Sequence, residues 1–239
     1  MPKFDIRRNV KQNRDNILAI LSNTSIWMNY NQWVKSQLLK ENEKLFPKDP
    51  KYLYYSKEQK MRKNCLATSF NYINTNITTE TIDNYQIRTI HQLISAGSDI
   101  NGGAIRLTEA DLQSLNITTP DTAVIYHRMD ELQYYLSRTD IDPITKAFQA
   151  HYDIVSIQPF EDLNKRTARM IMNWILMKDG FTPLLFNHNG DRELYIDAIK
   201  NKNTGSRKEY EKTFLSTLMR TQHRVLEFLY KTQRINGNQ

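Results

Sequence analysis

Cys65 is the only cysteine among the 239 residues. An intramolecular disulfide is therefore excluded, and so is a structural zinc site built on several thiolates. No run of eighteen apolar residues occurs, which excludes a spanning helix of ordinary length. The opening MPKFDIRRNVKQNRDN lacks the apolar centre of a secretory signal. A cytoplasmic place of synthesis is expected, with export by a signal elsewhere left open. The 33 basic and 26 acidic residues give a net charge of +7 but form no stripe. That balance favours anionic partners in general and nucleic acid only weakly. There is no internal repeat and no recognisable DNA-binding module.

What is present is helical. An apolar fraction of 39% with 25% charged residues is that of a soluble globular chain with one good core and an accessory segment. Apolar residues at helical spacing between Asn16 and Leu39 predict one or two amphipathic helices. The polar stretch FPKDPKYLYY then separates this arm from a second helical region. Gln86 to Ser95 predicts a helix stopped by Gly97. Residues 97–125 carry paired glycines, several threonines and a proline, and read as a loop or short hairpin. Further helices are expected over His127–Ser137, Pro143–Ile157, Thr167–Lys178, Arg192–Asn201 and Lys208–Tyr230. In the second of these Ile144, Ala147, Phe148, His151, Ile154 and Val155 share a face. The fold class expected is all-α with one small β-hairpin.

The densest chemistry lies in QPFEDLNKRTAR, residues 158–169. Pro159 ends the preceding helix and biases Gln158 to an extended shape. Phe160 is expected to turn inward and anchor the loop. The next helix is expected to start near Arg166, and a helix start offers free N–H groups and partial positive charge to an anion. Lys165, Arg166 and Arg169 add cations there, and Asp162 is the carboxylate best placed to hold a divalent cation against a phosphate. The same residues also read as ordinary helix caps and solvated charges.

At these positions the chain resembles the Fic (Fido) family, whose signature is H-P-F-x-(D/E)-G-N-G-R-x-x-R. Pro159, Phe160, Asp162, Asn164, Arg166 and Arg169 match in register. The resemblance extends to HYDIVSI at 151–157, MNWILMKDGFTPLLF, YIDAI at 195–199, IHQLISAG and GAIR at 103–106, and covers roughly residues 65–205. It implies three regions: an N-terminal helical arm (1–64), a Fic-like core (65–205) and a C-terminal helix packed on the core (206–239). It implies Mg²⁺ at Asp162, phosphates at Asn164, Lys165 and Arg166, and Arg169 pairing with a phosphate or bracing the loop. Gly103, Ala104, Ile105 and Arg106 would begin a hairpin flap that docks a protein target as an added strand. Most characterised members transfer AMP from ATP to a protein hydroxyl; a few use other nucleotide-linked donors or act as kinases.

Three departures qualify that implication. Gln158 stands at the position of the family's histidine, the general base, and an amide accepts no proton near neutral pH. Loss of such a base typically costs about 10²–10⁴-fold in rate. His151 and Glu161 are candidates to replace it, the first read as a packing residue and the second as exposed. Leu163 and Lys165 replace two glycines, so their side chains should crowd the anion seat. The N-K-R-T run also resembles the Doc-type toxins, in which ATP lies reversed. Upstream, Ser69 to Asn74 resembles the family's inhibitory helix, with Ile73 at the place of the inhibitory glutamate.

The leading expectation is a divergent Fic-fold protein that binds ATP or another nucleotide-linked donor with Mg²⁺. It would be a pseudoenzyme or a transferase with a rewired mechanism. An active protein AMP-transferase or kinase is the first alternative. A catalytically dead scaffold that binds a protein partner is the second. The C-terminal helix suits either core packing or a homodimer.

Overall fold

The computed structural model describes residues 5–45, 56–78, 81–112 and 115–237. The stretch FPKDPKYLYY, expected as a break between helical regions, lies outside the described residues, as does the extreme N-terminus. Nine α-helices are formed among the described residues: α1 (Ile6–Leu21), α2 (Thr24–Leu45), α3 (Ser56–Thr75), α4 (Asn84–Ser95), α5 (Ile125–Ser137), α6 (Pro143–Ile157), α7 (Asn164–Lys178), α8 (Asp191–Asn203) and α9 (Arg207–Gly237). The chain divides into two compact units, Lys48–Asp179 and a second made of Met1–Pro47 with Gly180–Gln239.

The unit Lys48–Asp179 is built on α6 and α7, its most extensive helix pair, with α4 against α7 and α3 against α4. The predicted apolar face of α6 is buried: Ile144, Ala147, Phe148, His151, Ile154 and Val155 are all inaccessible or nearly so. Asp142 starts the helix by accepting the Thr145 N–H at 3.2 Å, just ahead of Pro143. That is the expected chemistry of an N-cap followed by a first-turn proline. Helix α7 is buried almost all round, from Asn164 through Leu176. It therefore serves as the axis about which the unit packs. Helix α4 opens with a capping box in which Asp83 accepts from Tyr85 and Gln86 while the Gln86 amide accepts the Asp83 N–H.

Helix α3 brings Tyr72 edge-on to Trp174 of α7, with ring centroids 5.8 Å apart. Ile73 on the same helix is fully buried, so an apolar packing residue occupies that position. Ser69 bonds its own helix through the Cys65 carbonyl at 2.8 Å.

Among the described residues of 97–125 no paired strands form, and the expected hairpin is not shown. Among the described residues there is one isolated antiparallel bridge, Leu112 to Ile117. The physical reasons are local. Asn116 is left-handed at φ 56°, Pro120 lacks an N–H, and the guanidinium of Arg106 takes the carbonyls of Thr108 and Pro120 at 2.6 Å each. Those carbonyls are thereby lost to any ladder.

In the second unit, α9 packs against α1, α8 and α2. Gln222 of α9 donates to the Val10 carbonyl at 3.0 Å. The rings of Phe186, Tyr195, Tyr210 and Phe214 form its aromatic centre. Asp191, at the start of α8 and 1% exposed, accepts from Arg220 of α9 at 2.8 and 2.6 Å. Among the described residues no helix is long and apolar enough to cross a membrane.

Candidate functional site

The loop between α6 and α7 is short and tightly held. Helix α6 ends at Ile157, and Gln158 caps it in the left-handed conformation, φ 47° and ψ 60°. This corrects the extended shape expected ahead of Pro159: the Gln158 N–H bonds back to the Ile154 carbonyl at 3.1 Å. The helix-capping bond outweighs the pre-proline bias. The far side of the loop is similar. Leu163 is left-handed at φ 62° and ψ 8°, and α7 begins one residue later, earlier than the Arg166 start expected. A left-handed non-glycine residue costs roughly 1–2 kcal/mol. Two of the three such residues in the described chain therefore bracket this one loop. Strain of that kind concentrates where a loop geometry is required for function.

The interior of the loop is a closed set of hydrogen bonds. Asn164, 3% exposed, accepts the Phe160 N–H at 3.0 Å and donates to the Phe160 carbonyl at 2.8 Å and the Gln158 side-chain oxygen at 3.1 Å. The nitrogen of the Gln158 amide donates to the Val155 carbonyl at 2.8 Å. Gln158 is itself 8% exposed. Both ends of its amide are thus engaged, one by its own helix and one by α7. Phe160 turns fully inward, as its place in the loop predicts.

The outer surface of the loop is where charge collects. Asp162 and Glu161 are exposed, Lys165 and Arg166 half-buried, and Arg169 buried. One oxygen of Asp162 accepts the Leu163 N–H at 2.6 Å, and the residue is exposed. Among the described residues no three His, Cys, Asp or Glu gather as a metal cluster. A cation at Asp162 would therefore draw its remaining ligands from phosphate oxygens and water, as Mg²⁺ commonly does. Arg169 reaches back one turn to the Lys165 carbonyl at 3.4 Å. His151 is buried on the core face of α6.

Two residues hold this loop from outside, one expected as part of a flap and one that sequence patterning did not single out. Arg106, 4% exposed, donates its backbone N–H to the Pro159 carbonyl at 2.9 Å and its Nε to the Gln158 carbonyl at 2.7 Å. The sequence marks Arg106 as the start of a flap; it is also a staple between residues 103–106 and the loop. His91 of α4 is wholly buried and stacks on Phe160, ring centroids 3.8 Å apart and planes within 11°. Burial pushes its pKa down to about 4, against a smaller upward pull from the Asp162 carbonyl. A buried histidine one helix away, aimed at a loop carbonyl, leaves no spacing signal in the sequence.

The fold and the loop together define an all-helical domain that presents a helix start, a carboxylate and three cations on one short connection. Comparison with known proteins agrees. Residues 81–176 match the sequence model of the Fic/DOC family. It is 31% identical over 113 residues to protein adenylyltransferase fic-1 of Caenorhabditis elegans, covering 46% of this chain and 22% of the relative. It is likewise 31% identical over 121 residues to protein adenylyltransferase Fic of Drosophila grimshawi, covering 50% of this chain and 25% of the relative. The matches thus span about a quarter or less of those relatives' own length. Among solved structures, a fragment of Fic-1 from C. elegans superposes with a TM-score of 0.77 at 19% identity, over 95% of this chain and 72% of that one. A Fic-domain signalling protein from Bacteroides thetaiotaomicron superposes with a TM-score of 0.79 at 16% identity, over 93% and 98%. At those identities the likeness concerns the fold.

Proposed function

We propose that this protein binds ATP or another nucleotide-linked donor at the start of α7, and that transfer to a protein hydroxyl is impaired or follows a different route. The observation that carries the reading is the Gln158 amide. Both its ends are committed, to Val155 and Asn164, and an amide in any case takes no proton at neutral pH. What supports a phosphate seat is the charge around the helix start. Helix α7 offers its first-turn N–H groups, with Lys165, Arg166 and Arg169 alongside and Asp162 at the surface for Mg²⁺. Bound there, Mg²⁺ would neutralise charge on the phosphates. Asn164, by contrast, acts here as a brace within the loop and approaches phosphate only if that brace opens.

The names of the relatives favour an active protein adenylyltransferase as the second reading. Calorimetric titration with ATP, with and without Mg²⁺, tests the first. Binding strengthened by Mg²⁺ and lost in Asp162→Ala is expected, and no binding at millimolar ATP would overturn it. ATP labelled at the α or γ phosphate separates the second: label on a target protein from the α position means AMP transfer, from the γ position phosphorylation. No label from either, with binding intact, leaves a nucleotide-binding pseudoenzyme.

A further inference from the structure

We infer that His91 is a positioning residue: it ties the backbone at Gly103 to the backbone at Asp162, so that the 103–106 segment and the cation-holding carboxylate keep one fixed relation. The inference rests on the reading of Asp162 just given and deepens it.

The chemistry of the two ring nitrogens is fixed by their partners. The Gly103 N–H donates to Nδ1 at 2.8 Å, so Nδ1 carries no proton. Nε2 lies 3.1 Å from the Asp162 carbonyl, which can only accept, so Nε2 carries one. The ring is neutral, in a single tautomer, and burial disfavours its protonated form. Neither nitrogen is left to take a proton from a substrate, so His91 is no replacement for a missing base. Its work is mechanical.

Each end of the bridge is also held by something else. Gly103 is left-handed at φ 77°, and a Cβ there would stand 3.0 Å from the Arg88 carbonyl. Its own carbonyl accepts from Arg88 Nε at 2.7 Å. Arg88 and His91, one turn apart on α4, therefore grip the carbonyl and the N–H of Gly103 respectively. At the other end the Asp162 carbonyl is held by His91, while its carboxylate holds the Leu163 N–H. The stack on Phe160 keeps the ring in plane between them. Arg106 runs a parallel tie from the same segment to Gln158 and Pro159. A shift of residues 103–106 then transmits to Asp162 through one rigid imidazole.

The test compares the full chain with two variants by ATP titration with and without Mg²⁺ and by amide hydrogen exchange. His91→Phe keeps an aromatic ring on Phe160 and removes both hydrogen bonds. It should lower the gain in ATP affinity given by Mg²⁺ about 10- to 100-fold, the usual cost of losing a partner behind a metal ligand. ATP affinity without Mg²⁺ should stay within about twofold, and the amides of Gly103 and Leu163 should lose protection together. His91→Gln, which offers one donor and one acceptor, should restore most of both. A His91→Phe protein with unchanged Mg²⁺ gain and protected amides would overturn the inference.

If the unaltered protein binds no ATP, the functional reading falls and exchange alone decides. Joint loss at Gly103 and Leu163 still supports the bridge, and loss at Gly103 alone refutes it. Should His91→Phe not fold, His91→Asn serves. It can still accept from Gly103 but is too short for Asp162, so Leu163 should exchange faster while Gly103 stays protected. Protection kept at both sites would refute the bridge.

Discussion

The side-chain oxygen of Gln158 and the side-chain nitrogen of Asn164 lie 3.1 Å apart, and that bond closes the loop between the two central helices. Replacing Gln158 by Leu, of similar size, leaves an Asn164 donor and the Val155 carbonyl unmet. An unsatisfied buried polar group costs about 1–3 kcal/mol. Urea unfolding of Gln158→Leu should show a loss of that size at unchanged slope. Gln158→His should retain ATP binding. If its ring reaches the seat, it should also gain label transfer from α-labelled ATP, which a filter assay with the target present would read.

Leu163 is expected to behave unlike most buried or half-buried leucines. At φ 62° its Cβ is strained, and glycine removes about 1–2 kcal/mol of that strain against an entropic cost of about 0.5–1 kcal/mol. Leu163→Gly loses the same contacts as Leu163→Ala but sheds the strain, so it should leave the thermal midpoint above that of the alanine variant. Leu163→Ala, which keeps the strain and loses contacts, should lower it. The pair of melting curves checks the account.

The guanidinium of Arg106 donates to three carbonyls at 2.6–2.7 Å. Lysine is a point charge and cannot reproduce a planar fork. Arg106→Lys should cost at least about 2 kcal/mol, because hydrogen bonds to charged groups contribute about 1.5–3 kcal/mol each. Limited proteolysis should then cut within residues 107–121 well before the helices.

In the other unit, Arg220→Ala removes the cation from Asp191, which is 1% exposed and keeps the His188 N–H at 2.8 Å. Breaking a fully buried pair from one side costs about 3–5 kcal/mol, and with Arg220 about a third exposed the loss here should fall below that. Chemical denaturation should register that loss, and the Arg220→Ala, Asp191→Asn double variant should recover part of it.

Cys65 should resist thiol reagents in the folded state. It is 7% exposed and donates to the Ala96 carbonyl at 3.0 Å, and burial raises its thiol pKa. Since the thiolate is the reactive form, labelling at neutral pH should proceed only as fast as the protein opens, and rise sharply in denaturant.

Much of the Lys48–Asp179 unit was legible because its signals are local. The face of α6 follows from 3.6-residue spacing, and Phe160 is an aromatic in a polar loop with nowhere else to go. The residues of the loop were legible as a group, but their bonding was not. Whether Asn164 faces phosphate or Gln158 depends on two left-handed residues, and neither a glutamine nor a leucine advertises that conformation. His91 and Arg106 act across 71 and 52 residues of chain respectively, where no periodic pattern reaches. The failure of residues 97–125 to pair as strands has the same origin, since Arg106 spends the carbonyls that a ladder would need. The C-terminal helix reads as amphipathic, yet nothing in its pattern says that α1 is its partner.

That last pairing bears on how the molecule is made. Helices α1 and α2 are synthesised well before α9, and the α9 surface that packs on them begins about 160 residues after α2 ends. The intervening Lys48–Asp179 unit is continuous in sequence and can condense while synthesis continues. Until α9 emerges, α1 lacks most of its native cover, and it is in that interval that a nascent chain would most need a chaperone.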